Sequence, residues 1–230
     1  MSNLQKLGGL AAISQALIYI LAFIVYGAVL QYPTGDDVML KFQFLADNQL
    51  LLSVMNLVAY VLFGILLAVM VLALHERLKV QAEALSRFAC VFGFLWVGLV
   101  IASGMIDNIG MAAVLKLAET EPEQARIMWL TLMVLIEGIG GGNELVGGLW
   151  VLLLSLAGWK SRALSKPLFY LGVFVGCAGI STCYPADVLT EIFGLSQIVW
   201  FIWIGIFMFS NKLPEQDSAL HSGLCTAAAK

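Results

Sequence analysis

The chain has 230 residues, of which 61% are hydrophobic and 12% charged, and its formal net charge is -3. Soluble domains run at about 45–50% apolar and about 25% charged, so a soluble globular fold is set aside: the sparse charge is gathered into short loops between long apolar runs. No basic block occurs, which removes the electrostatic footprint of nucleic-acid binding and of a polybasic lipid-surface patch.

A span needs about 20 apolar residues to cross a hydrocarbon core of about 30 Å. Six uncharged runs qualify, at roughly 10–30, 50–74, 88–106, 127–159, 168–183 and 188–210. The first is longer than a signal-peptide core and reads as a retained span. The chain is thus expected to be all-α, a single polytopic membrane domain built as a six-helix bundle, with residues 211–230 as a cytoplasmic tail. Between the first two spans, residues 31–49 hold Asp36, Asp37 and a mixed run over 38–47; between the third and fourth, residues 107–126 hold 111–118 at helical spacing. Each reads either as a short helix at the outer surface or as a solvated connector. Ser165 and Pro167 mark the start of the fifth helix, and Asp187 an N-cap for the sixth. Gly172 with Gly176, and Gly98 with Ala102, carry the small-residue spacing that lets helices pack closely within the bundle or between copies.

Lys and Arg set the orientation, because basic residues near span ends stay cytoplasmic. With both termini inside, Lys6, Arg77, Lys79, Arg87, Lys160, Arg162, Lys166, Lys212 and Lys230 are inner, against Lys41, Lys116 and Arg126 outside. Tyr32, Trp129 and Tyr184 then anchor the outer interface, Trp159 and Tyr170 the inner one, while Trp200 and Trp203 fall mid-span and pack.

The fourth span carries the polar exception. Its 33 residues would reach about 50 Å as a continuous helix, past the core, and the run Glu137-Gly138-Ile139-Gly140-Gly141-Gly142-Asn143-Glu144 offers the place for a break. Counting about 20 residues outward from Trp159 reaches Gly140, which leaves Glu137 at the outer boundary and sinks Glu144 below it. Glu137 and Glu144 share a face if the helix is continuous. Asp107 and Asn108 close the third span and Asp187 and Glu191 open the sixth, so an outer acidic rim is expected above Glu144. Ionisable groups inside spans usually face a watery cavity or the bundle interior. Glu144 is therefore read as a ligand, proton or cation group, with the competing reading of a protonated acid that hydrogen-bonds a neighbouring helix together with Asn143. Asp107, Asp187 and Glu191 read equally as solvated helix ends and caps.

Several chemistries lack their residues. Cys90, Cys177, Cys183 and Cys225 form no CxxC pair, so no disulfide framework or zinc site is indicated. His75 and His221 both fall outside the spans, which rules out a bis-histidine haem and an intramembrane Ser-His dyad. His75-Glu76 begins like HExxH but meets Lys79, and the glycine run meets Asn143 where GxGxxG needs its third glycine. No cofactor and no metal are expected, and any catalysis would rest on the Glu137 and Glu144 carboxylates acting as acid and base on a lipid.

Lys6-Leu7-Gly8-Gly9-Leu10 entering the first span, Trp203-Ile204-Gly205 in the last, and Asn143 followed by Leu164-Ser165-Lys166-Pro167-Leu168 and Gly172 carry a resemblance over nearly the whole chain. The layout resembles the bacterial six-span membrane proteins grouped as domain of unknown function 4386, from whose usual fourth span the glycine run here departs. The resemblance implies the six-helix fold and a bacterial cytoplasmic (inner) membrane setting, and no activity or catalytic residue.

The reading that follows is a protein that binds or transports a small ligand or cation through an outward-facing polar cleft at the fourth span. Glu144 is its coupling group, Glu137 and Asn143 its neighbours, and Asp107, Asp187 and Glu191 its rim. The alternative is a non-catalytic partner or regulatory subunit that holds another membrane protein, or a second copy of itself, through the small-residue faces. The lipid bilayer is the surrounding partner in either case.

Overall fold

The computed structural model describes residues 3–33, 37–141 and 144–210, and every regular element among them is a helix. In chain order these are α1 (Asn3–Ile24), α2 (Val38–Asp47), α3 (Gln49–Asn56), α4 (Phe63–Leu78), α5 (Glu83–Ala118), α6 (Pro122–Ile136), α7 (Leu145–Lys160), α8 (Lys166–Ser181) and α9 (Asp187–Ser210). Three π-helical turns interrupt or extend them: Val25–Val29 after α1, Leu57–Leu62 between α3 and α4, and Glu137–Gly141 after α6.

Five helical stretches are long and apolar enough to cross a membrane: Asn3–Val29, Gln49–Leu78, Glu83–Ala118, Pro122–Lys160 and Asp187–Ser210. The expected fifth span is the shorter apolar helix Lys166–Ser181, whose 16 residues rise about 24 Å. It opens on Ser165 in extended conformation, with Pro167 in the first turn, where a missing N–H costs nothing.

The two long connectors resolve differently. In the first, Asp37 caps α2, its Oδ1 accepting from Met39 N–H at 3.0 Å and Leu40 N–H at 3.1 Å, and Phe42 and Leu45 bury the apolar face. In the second, no separate helix exists. The stretch from Met111 to Ala118 is the unbroken end of the 36-residue α5, because Met111 and Val114 pack with Phe42, Leu45 and Ala125 and so give the extension an apolar contact of its own.

α1 packs between α4 and α9; α5 packs on α4, α6 and α7; α7 lies along α8, and α8 along α9. Between helices in lipid there is no water to expel, so close packing and buried polar contacts supply the association. The α7–α8 seam shows how: a Cβ at Gly148 would meet the Gly176 carbonyl and the Ile180 nitrogen at 2.7 Å, so the two backbones touch where only glycine fits. Gly172 and Gly176 thus pack inside the bundle as expected, whereas Gly98 has open space beside it and meets no neighbouring helix of this chain. The core is threaded by aromatic contacts across four helices, Phe63 to Trp96 at 5.7 Å, Trp96 to Trp150 at 5.8 Å and Trp150 to Trp200 at 5.6 Å. Trp200 is fully buried, and Trp203 is 40% exposed on the outer surface of the bundle.

At the end holding the N-terminus, Gln5 Nε2 donates to the Ala73 carbonyl at 2.6 Å, and the buried Arg77 guanidinium lies 4.3 Å from the Phe207 ring centroid. The opposite end holds the three π turns and the break in the fourth helix.

Candidate functional site

The break is set by Gly140. Its φ of 139° lies where an L side chain is strained, while a Cβ added there would find its nearest neighbour, Leu99 Cβ, at an ordinary 3.6 Å. Backbone conformation, and not space, therefore demands glycine. The helix resumes at Leu145, with Glu144 in the capping position. A capping side chain ordinarily accepts from the first free N–H groups of its helix, but Glu144 makes no such bond. Its backbone is held instead: the Glu144 N–H donates to Thr182 Oγ1 at 2.8 Å, the Thr182 hydroxyl donates to the Gly179 carbonyl at 2.7 Å, and the Glu144 carbonyl accepts from Gly148 N–H at 2.8 Å. The side chain is left free to serve the space in front of it.

That space is a cavity of about 430 Å³ between α1, the Leu57–Leu62 turn, α4, α5, the Gly140 break and α9. Tyr19 and Phe23 from α1 and Tyr26 from the turn that extends it line the cavity on one side, Tyr60 and Phe63 from the second span, Trp96 from α5 and Phe193 from α9. The rings brace one another, Tyr19 against Phe63 at 5.5 Å and Trp96 against Phe193 at 6.4 Å, both edge to face. Each of the three π turns contributes to the lining: Tyr26 and Gly27 from the first, Ala59 and Tyr60 from the second, Gly140 from the third. A π turn carries one residue more than the α-helix around it and is commonly found at functional sites. Among the described residues Glu144 is the one acidic or basic side chain in the lining. Its Oε2 is buried without a hydrogen-bond partner among them, and the Trp96 indole N–H is a neighbouring donor.

Of the candidate binding residues read from the sequence, Glu144 is the one among the described residues that lines this cavity. Glu137 is exposed on the π turn, and the helix between the two carboxylates is broken at Gly140, so they are not on one face of a continuous helix. Asn143 lies outside the described residues. Asp187 and Glu191 are exposed in the first turns of α9, beside the lining residue Thr190. Asp107 lines a second, smaller cavity of about 180 Å³ with Asn56, Tyr32 and Trp129. Tyr26 borders both cavities, its hydroxyl donating to Asn56 Oδ1 at 3.3 Å. The walls are thus aromatic where a polar cleft was expected, because Asp187 and Glu191 stay on the surface and Asp107 lines the second cavity.

The aromatic wall and Asn56 were not singled out from the sequence. Tyr19, Phe23 and Tyr26 sit at i, i+4 and i+7, a spacing that puts them on one helix face; in an apolar run that pattern is indistinguishable from core packing. Among the described residues, no group of three or more His, Cys, Asp or Glu side chains could hold a metal ion. No protein-family model, no curated protein and no solved structure matches the chain.

Proposed function

We propose that this chain is a six-helix protein of the bacterial cytoplasmic membrane, with both termini inside, that binds or transports a small ligand or cation at Glu144. One observation carries this reading: a carboxylate stands at the start of a broken helix, in a cavity whose other walls are apolar and aromatic, with an oxygen that no donor among the described residues satisfies. Irregular backbone at membrane depth is tolerated where it lines a cavity, and discontinuous helices of this kind build the binding sites of many transporters. The surface residues Glu137, Asp187 and Glu191 supply a negative approach.

The reading is tested by Glu144→Cys in a background free of the four native cysteines, probed in intact cells with a membrane-impermeant thiol reagent. Labelling at Glu144→Cys that a bound solute suppresses is the expected result. Protection of Glu144→Cys while a Glu137→Cys control is labelled would overturn it and turn attention to the partner-subunit alternative.

A further inference from the structure

The chemistry of the cavity narrows the ligand class, an argument that rests on reading Glu144 as a ligand-binding carboxylate. Sixteen residues line the cavity, and seven of them are aromatic. Among the described residues the side-chain oxygens besides Glu144 are those of three tyrosines and Thr190, a sparse set for a hard metal cation such as calcium, which takes about six to eight oxygens, carboxylates prominent among them. An anion meets the Glu144 carboxylate and no basic residue among those described. A neutral apolar solute would fill the space and leave the buried Oε2 uncompensated. An organic cation answers both parts of the site. Its charge pairs with Glu144 and sits among the rings of Trp96, Tyr19 and Tyr60, which attract cations through their quadrupoles, and its alkyl or aryl groups occupy the apolar remainder. At about 430 Å³ the cavity falls in the range of about 300–1,000 Å³ that holds one drug-sized molecule. Its exposed edge, Phe23 at 41%, Tyr26 at 43% and the neighbouring Gly27, is uncharged, so a solute already dissolved in the bilayer meets no polar barrier there.

We propose that the Glu144 cavity is a site for lipophilic organic cations, quaternary or protonated amines and their phosphonium analogues, and not for inorganic ions, anions or neutral apolar solutes. The test titrates the purified full-length chain in detergent with tetraphenylphosphonium, with the neutral triphenylphosphine oxide and with tetraphenylborate, following heat or tryptophan fluorescence. Phosphonium is expected to bind at least about tenfold more tightly than either of the others. Glu144→Gln should abolish that preference, with a loss of about 100-fold or more, and Glu144→Asp should retain it, which separates charge from folding. Tyr60→Leu and the more exposed Tyr26→Leu should each weaken phosphonium by about 2- to 30-fold. Equal affinity for phosphonium and oxide, both lost in Glu144→Gln, would overturn the cation class and leave a ligand site at Glu144 standing. Phosphonium binding that ignores Glu144→Gln would overturn both. Failure of phosphonium to bind a monodisperse wild-type chain would also overturn the cation class, and solute-suppressed labelling of Glu144→Cys would then be the measure of whether the site itself survives.

Discussion

Glu144 occupies the position where a helix most wants a short oxygen-bearing side chain, yet its own side chain makes no capping bond to α7. Stability has been forgone there, and the difference is measurable. Glu144→Ser should raise the melting temperature of the detergent-solubilised protein through a gain of about 1 kcal/mol, while ligand binding is lost; a stability gain with binding intact would show that the carboxylate has no part in the site. Thr182 acts one step behind. Thr182→Val removes the acceptor of the Glu144 N–H and leaves that donor unsatisfied, a cost of about 1–3 kcal/mol, and the loosened backbone should weaken binding as well, which calorimetry on the same sample would show. The prominence of Glu144 was legible in the sequence, because counting inward from the basic, aromatic end at Trp159 and Lys160 sinks it into an apolar run. Its support was not. Thr182 is 38 residues away in sequence, at the far end of α8, and nothing in either segment marks the two as partners.

The apolar helices were legible in rough extent because apolar length is a strong signal, although five stretches and not six are long enough to span and Lys166–Ser181 is shorter; the glycine run announced the break that Gly140 makes. What was missed is local. An apolar run carries no mark of where one surplus residue turns α into π, so the turns at 25–29 and 57–62 left no trace. The extension of α5 was missed because Asp107 and Asn108 look like a helix end, whereas the packing of Met111 and Val114 on α2 and α6 carries the helix through them. Two contrasts test the element-level account by thermal denaturation. Gly148→Ala pushes a methyl into the backbone of α8 and should destabilise by about 1–3 kcal/mol, while Gly98→Ala, with open space around it, should be neutral or slightly stabilising. Gly140→Ala should cost about 1–2 kcal/mol for its backbone conformation alone.

Across the whole molecule the two ends differ in kind. One gathers Lys6, Arg77, Lys79, Arg87, Lys160, Arg162 and Lys166; the other holds the cavity, the π turns and most of the acidic residues. If basic residues stay cytoplasmic, Cys183, exposed beyond the end of α8, should react with an impermeant maleimide in intact cells, and a cysteine placed by Arg162→Cys should react only after permeabilisation. The reverse pattern would invert the protein and point the cavity into the cytoplasm. The Leu57–Leu62 π turn also gives the cavity an unusual kind of genetic vulnerability. It is a helix that counts one residue too many, and removing a single residue from it restores regular winding and swings the chain beyond it by about 100°. One in-frame codon loss could therefore carry Tyr60 off the wall while leaving the apolar profile of the helix almost unchanged. Related chains could keep the bundle and its membrane setting, gain or lose the chamber by insertion and deletion, and show no sign of it in their composition.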